Sequence, residues 1–241
     1  MIKTNNINIS ASKFKENLSV IILAGGKGER LRPLTHKTPK PLIKIGNKTL
    51  LEHIIRHLFN YNIKNIIIAT GYKHKLIKEF VNKKYKNNNL VVCNTGISSD
   101  ILTRIKKIST RTKKYIIVCY GDTLIDINID KLIKFYLKNK NKMIMSSYQL
   151  NSDFGILAIN KNNLITKFEE KPKLNIWFNV GYILFSSKKF EYFNKFKTFK
   201  DMLKFSAKQK LMKTFKHYGK HITINTLTEL DKAKQLIKKF N

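Results

Sequence analysis

Gly25, Gly26 and Gly28, with Arg30 just beyond them and Lys40 set between Pro39 and Pro41, are the residues of this chain best suited to hold a polyphosphate. They follow the apolar run Val20-Ile21-Ile22-Leu23-Ala24, so a short strand empties into a glycine-dense turn. A backbone without Cβ atoms reaches φ > 0 and approaches a ligand closely, with its N–H groups turned toward phosphate oxygens. The Arg30 guanidinium suits a bidentate clamp on phosphate. Lys40, its backbone restricted by the flanking prolines, suits a point contact to developing negative charge. Gly-Gly-Lys-Gly-Glu-Arg lacks the Gly-Lys-Ser/Thr ending of a P-loop, and Leu31 stands where the dinucleotide fingerprint needs its last glycine, so both common nucleotide motifs are disfavoured. For the glycines alone an ordinary strand-to-turn connection explains as much; Arg30 and Lys40 shift the balance to a phosphate cradle.

Asp122 follows the apolar run Tyr115 to Tyr120 and the flexible Gly121. It could reach Mg²⁺ held by triphosphate oxygens, since magnesium takes one or two protein carboxylates and keeps several waters. An aspartate after a strand serves equally as a helix N-cap or in an Asx-turn. His53 and His57 are spaced to share a helix face, but the intervening Ile-Ile-Arg lacks the glutamate of a metalloprotease motif, so they are read as packing or surface residues. No nucleophile with an adjacent base stands out. Cys93 and Cys119 lie in or beside expected strands, which favours buried free thiols in a reducing cytoplasm.

The elements that must carry these groups alternate. Strands are expected at Leu18 to Ala24, Ile63 to Thr70, Leu90 to Asn94 and Tyr115 to Tyr120. Between and after them, helices are expected at Leu50 to Tyr61, Lys73 to Lys84, Ser98 to Ser109 and Asp130 to Asn139. This order predicts an α/β fold with a mostly parallel sheet covered on both faces and ligands at the carboxyl ends of its strands, where Gly25 and Asp122 both stand. After Lys142 the pattern becomes strand-rich, with Met143 to Leu150, Gly155 to Asn160, Ile165 to Glu169 and Gly181 to Ser186 expected on the same sheet. The 241 residues suffice for one substantial core. No apolar stretch approaches membrane-spanning length, and Met1 to Ser19 lacks the apolar region of a secretory signal, so a cytoplasmic protein is expected. The net charge of +33, from 48 basic and 15 acidic side chains, is spread along the chain without a basic stripe or nucleic-acid motif. It predicts a solvated surface that attracts anionic small molecules rather than a specific nucleic-acid partner.

The run from Val20 through Gly-Gly-Lys-Gly-Glu-Arg-Leu-Arg-Pro-Leu-Thr to Pro39-Lys40-Pro41 resembles the signature of the sugar-1-phosphate nucleotidylyltransferases. Gly71-Tyr72-Lys73, Tyr120-Gly121-Asp122, Glu170-Lys171-Pro172 and Trp177-Phe178-Asn179 follow in the family's order. The cytidylyltransferase branch is echoed by Asn94-Thr95-Gly96, Ser98-Ser99, Arg104, Phe154 to Ile159, and Leu211-Met212 through His217 to Leu227.

The resemblance implies a Rossmann-like, three-layer fold of the nucleotide-diphospho-sugar transferase type. It covers 20–241 as a single domain, about 20–142 binding nucleotide and 143–241 binding acceptor, with 1–19 an N-terminal extension and room for a homo-oligomer. It implies a nucleoside triphosphate, CTP favoured on resemblance alone, a sugar 1-phosphate, and Mg²⁺. UTP, dTTP, GTP, a non-sugar phosphate acceptor, or a catalytically weakened nucleotide-binding regulator remain alternatives.

By family position Arg30, Lys40 and Asp122 are catalytic. Nucleotide contacts fall on Leu23, Ala24, Gly25, Gly26, Lys27, Gly28, Glu29, Arg30, Ser99, Arg104 and Gly121. Acceptor contacts fall on Gly155, Glu170, Lys171 and Asn179: Glu170 would accept from sugar hydroxyls, Lys171 would meet the acceptor phosphate, and Asn179 would add an amide contact. Metal ligands fall on Asp122 and Asn225. The family's second metal residue is the aspartate of an Asp-Thr pair, and this chain has Asn225-Thr226, which brings an oxygen but no charge. Ile101-Leu102-Thr103 replaces Thr-Gly-Gly before Arg104, and Val180 replaces the first glycine after Asn179, a change expected to reshape the acceptor pocket.

Overall fold

The computed structural model describes residues 11–139 and 142–237. Helix α1 (Ala11–Glu16) leads into β1 (Leu18–Ala24). After the glycine turn come α2 (Leu34–Lys37), the small hairpin β2 (Lys44–Ile45) and β3 (Lys48–Thr49), and α3 (Leu50–Asn60). Next are β4 (Asn65–Thr70), α4 (His74–Lys84), β5 (Leu90–Asn94), α5 (Ile101–Lys107), β6 (Tyr115–Tyr120), β7 (Thr123–Ile125) and α6 (Ile129–Lys138). The second half contains β8 (Met143–Asn151), β9 (Ile156–Ile159), β10 (Ile165–Glu169), β11 (Lys173–Ser186), α7 (Lys189–Phe193), α8 (Phe199–Lys208), β12 (Met212–His217), β13 (His221–Thr223) and α9 (Leu227–Leu236).

A seven-stranded sheet in the order β12-β8-β11-β6-β1-β4-β5 forms the middle layer. β1 lies between β4 and β6, parallel to both, while β11 is antiparallel to β6 and β8, so the sheet is mostly parallel but mixed. Strands buried on both faces need continuous apolar sequence, and Leu-Ser-Val-Ile-Ile-Leu-Ala and Tyr-Ile-Ile-Val-Cys-Tyr supply it. One face packs on α1, α3, α4, α6 and α9. The other packs on α5, α7 and α8. The spacing predicts an α3 face of Leu51, Ile54, Ile55, Leu58 and Phe59; the first four are buried and Phe59 is half-buried beside them, and a reciprocal cap between Thr49 and Glu52 fixes the helix start.

The α/β, three-layer expectation holds, with local corrections. β9 and β10 do not join the main sheet: they pair only with each other, and every residue of both strands is exposed. β11 begins at Lys173 rather than Gly181, which places Trp177-Phe178-Asn179 inside a strand. α5 starts at Ile101, capped by Asp100, so Ser98 and Ser99 belong to the preceding loop. Of the N-terminal extension, 1–10 lies outside the described residues. Phe14 of α1 is buried and stacks on Tyr115 with ring centroids 4.0 Å apart, so this part packs on the core. Among the described residues no helix is long and apolar enough to cross a membrane.

Candidate active site

The carboxyl ends of β1 and β6 open on a cleft of about 760 Å³, the size of a small-molecule site. Leu23, Ala24, Gly25, Gly26, Lys27, Gly28, Glu29, Arg30, Lys40, Ser99, Arg104, Gly121, Asp122 and Asn225, each singled out in the sequence, all line it. Gly28 has φ 65°, and a Cβ there would stand 2.9 Å from the Thr35 methyl and 3.2 Å from Lys40 Cβ. Only glycine fits that bend without strain. Thr35 pins it by donating from Oγ1 to the Gly28 carbonyl at 3.0 Å. Gly26 meets no protein atom within 4 Å of an added Cβ, so the backbone there is bare toward the cleft.

Four polar groups of the lining converge. Lys40 Nζ donates to Asp122 Oδ2 at 2.8 Å and to Asn225 Oδ1 at 3.2 Å, and Arg30 Nη2 donates to the same Asn225 oxygen at 3.0 Å. Asn225 arrives from far along the chain because β13 pairs with β7 and Ile224 N donates to Asp122 O at 3.1 Å. Its backbone N–H donates to Glu229, and its amide donates to Thr223 Oγ1 at 3.1 Å, which turns the carbonyl oxygen toward the cations.

Arg104 lines the cleft in a way its sequence position does not reveal. It is 5 % exposed. Its guanidinium donates to Thr95 Oγ1 (2.7 Å) and to the carbonyls of Gly25 (3.1 Å), Thr70 (3.1 Å) and Ile97 (3.3 Å). Burial lowers its pKa from the ordinary value and the Asp100 charge opposes that shift. The group therefore ties the glycine turn to the ends of β4 and β5 from beneath. Ser99 donates to Thr95 O and accepts from Lys107.

The expected acceptor residues are more dispersed. Gly155 packs against Phe168 and Glu170, with an added Cβ falling 2.6 Å from the Phe168 ring. Glu170 and Lys171 form an exposed pair at 3.8 Å and do not line the cleft. Asn179 reaches the cleft wall indirectly, donating to the hydroxyl of Tyr120 at 2.9 Å. Val180 is 1 % exposed and packs in the core on the opposite face, so its replacement of glycine does not reshape the acceptor side through its side chain. The ring nitrogens of His53 and His57 meet the backbone carbonyls of Ile45 (2.9 Å) and Ile127 (3.0 Å), which supports their packing role. Cys119 is a buried free thiol whose pKa is raised by desolvation; Cys93 is also free.

Tyr120, Pro41, Ile97, Ser98, Asp100 and Ile101, none of them assigned a ligand contact from the sequence, complete the lining. Of these, Tyr120 could have been found from its place beside Gly121-Asp122; the apolar Ile97 carries no sequence signal of a site.

The Nucleotidyl transferase family model matches residues 19–224, and the chain belongs to that family. Within it the chain groups with the sugar-1-phosphate nucleotidyltransferases. A Bacillus subtilis protein described as a probable glucose-1-phosphate cytidylyltransferase is 29% identical over 242 residues, covering 88% of this chain and 93% of the relative. The glucose-1-phosphate cytidylyltransferase of Salmonella typhimurium is 30% identical over 180 residues, covering 65% of this chain and 70% of the relative. A Bacillus anthracis crystal structure, described as a glucose-1-phosphate thymidylyltransferase in complex with a sucrose, shares the fold with a TM-score of 0.74 at 22% identity, covering 93% of this chain and 96% of that one.

Proposed function

We propose that this chain transfers a cytidylyl group from CTP to a sugar 1-phosphate, with glucose 1-phosphate the favoured acceptor, releasing pyrophosphate. The observation that carries the reading is the convergence of Arg30, Lys40, Asp122 and Asn225 at one side of a glycine turn whose backbone faces an open cleft. An oxygen of the acceptor phosphate attacks the α-phosphorus of the triphosphate, the bond between that phosphorus and its bridging oxygen to the β-phosphate breaks, and pyrophosphate departs. The reactants are both anions, so catalysis is mainly alignment and charge neutralisation. The turn at Gly25 to Gly28 holds the polyphosphate by its N–H groups, Arg30 clamps the departing pyrophosphate, and Lys40 neutralises charge at the reacting phosphorus.

The residues present fit Mg²⁺. Asp122 Oδ2 and Asn225 Oδ1 already converge on one cation, the Lys40 ammonium, and two protein oxygens completed by phosphates and water match the usual magnesium set. Asp122 and Asn225 would hold the ion, which when bound supplies charge neutralisation to the triphosphate. Because the Asn225 amide contributes no charge, Asn225→Asp is expected to lower the half-saturating Mg²⁺ concentration by roughly an order of magnitude, ligand charge being a main determinant of affinity for hard cations. An unchanged Mg²⁺ dependence of turnover would remove Asn225 from the metal set.

The test is a panel of CTP, UTP, dTTP and GTP against several phosphorylated acceptors with Mg²⁺, read by pyrophosphate release. Among acceptors without a second anionic group, CTP with glucose 1-phosphate is expected to turn over fastest. A different best triphosphate corrects the base alone, and absence of release with every pair overturns the enzyme reading. Asn225 also favours a second reading, a weakened nucleotide-binding regulator, which predicts saturable triphosphate binding without turnover.

A further inference from the structure

We propose that Trp177, Lys216 and Tyr218 form a shelf beside the cleft that selects an acceptor whose sugar ring carries a second anionic group, a carboxylate or another phosphate. This rests on the transferase reading given above and shifts its acceptor from glucose 1-phosphate itself to a sugar 1-phosphate that bears a further negative group.

Strand pairing places these side chains together. Asn179 of β11 is in register with Ser147 of β8, and Ser147 with Lys216 of β12, so the three project from one face in a single row. Trp177 and Tyr218 lie two residues from Asn179 and Lys216, on the same face. That face is the one on which α5 packs, and α5 with the loop before it forms one wall of the cleft. Tyr120 links the two: it lines the cleft, and its hydroxyl accepts from Asn179. The shelf is therefore a continuation of the cleft floor. Lys216 lies about 10 Å from Asn179 by two strand spacings.

The chemistry of the shelf is that of a carbohydrate subsite. Trp177 is half-buried and Tyr218 is 74% exposed, their rings edge to face at 5.7 Å, which leaves aromatic surface open beside the polar row. Sugar rings present an apolar C–H face that packs on such surface, while their hydroxyls take polar partners. The Lys216 ammonium stands 4.6 Å from the centroid of the Trp177 ring, so the cation is aimed over the shelf rather than along the solvent edge. Among the described residues no carboxylate forms an ion pair with Lys216. Its charge is left for an anion brought by the ligand. Neutral hexose 1-phosphates offer none at that end, because their one phosphate is committed to the cleft.

Trp177 is the single tryptophan of the chain, so its fluorescence reads the shelf without reference to activity. The full-length protein is titrated with glucose 1-phosphate, glucuronic acid 1-phosphate, glucose 1,6-bisphosphate and inorganic phosphate. The two ligands with a second anion are expected to change the emission with dissociation constants several-fold below that of glucose 1-phosphate. Lys216→Met should abolish that preference, and Tyr218→Ala should weaken all three sugar ligands together. Both positions are exposed, so both variants should retain the wild-type melting temperature. Equal affinities for the three sugar phosphates, a preference that survives Lys216→Met, or a response that inorganic phosphate reproduces would each overturn the shelf. None of these would touch the transferase reading, which stands or falls on pyrophosphate release.

Discussion

Lys40→Met is expected to release pyrophosphate about 10²-fold or more slowly than the wild-type protein, a loss of roughly 3 kcal/mol of transition-state stabilisation. The side chain is 13 % exposed, and its ammonium is fixed by two oxygens, Asp122 Oδ2 at 2.8 Å and Asn225 Oδ1 at 3.2 Å. The stem packs beside Gly28 and its root lies between Pro39 and Pro41, so the ammonium stays at the cleft when the two oxygens turn to the metal, and a donor so placed is worth more than a mobile surface lysine. Methionine keeps the length and apolar stem of the side chain but removes the charge, so the packing against Gly28 survives. In the proposed reaction the glycine turn and Arg30 hold the triphosphate, so its binding should weaken far less than turnover. Turnover within threefold of wild type, at unchanged melting temperature, would take Lys40 out of the reaction. The same measurement on Arg30→Ala separates the two cations. Arg30 is exposed and contacts only Asn225 among these groups, so its loss should also weaken triphosphate binding.

What could be read from the sequence was whatever is local in the chain. The β1 strand and its glycine turn are contiguous, and an apolar run followed by three glycines leaves few other conformations. The position of Asp122 past β6 follows from a single strand end. The arrival of Asn225 beside Lys40 depends instead on β13 pairing with β7, two three-residue strands too short to give a periodic signal. β9 and β10 have the composition of sheet strands, and nothing in their sequence says that they pair apart from the main sheet. The shelf of Trp177 and Lys216 is set by the register of β11, β8 and β12, and β11 reaches past its expected start at Gly181 because a bulge there lets pairing with β8 resume on the far side. Arg104 shows the same limit at a single residue: the family resemblance implies a nucleotide contact, and only its four acceptors show what the guanidinium holds within the protein.

Arg104→Ala is expected to lower the stability of the ligand-free protein by about 2–5 kcal/mol and to weaken triphosphate binding as a consequence. Hydrogen bonds from a charged donor contribute roughly 1.5–3 kcal/mol each where no water replaces them. Truncation removes all four of these bonds at once, although the Gly25 carbonyl keeps the Tyr72 N–H and the Thr70 carbonyl keeps the Thr95 hydroxyl and N–H. Against these losses stands the release of a desolvated cation, which keeps the net below the sum. At about 2–4 °C per kcal/mol for a chain of this size, the melting temperature should fall by roughly 5–15 °C. A lysine cannot span Gly25 O and Thr95 Oγ1 with its single nitrogen, so Arg104→Lys should recover little. Gly25→Ala should resemble the arginine variants, since a Cβ there falls 2.0 Å from Arg104 Nη1 and must displace the guanidinium. The comparison that decides the role is stability without ligand. If Arg104 served only as a nucleotide contact, its removal would relieve a buried charge and leave the free protein at least as stable, with binding alone reduced. If it braces the turn, thermal melting of the ligand-free variant falls first, and the loss of triphosphate affinity follows from a cradle no longer held to the strand ends beneath it.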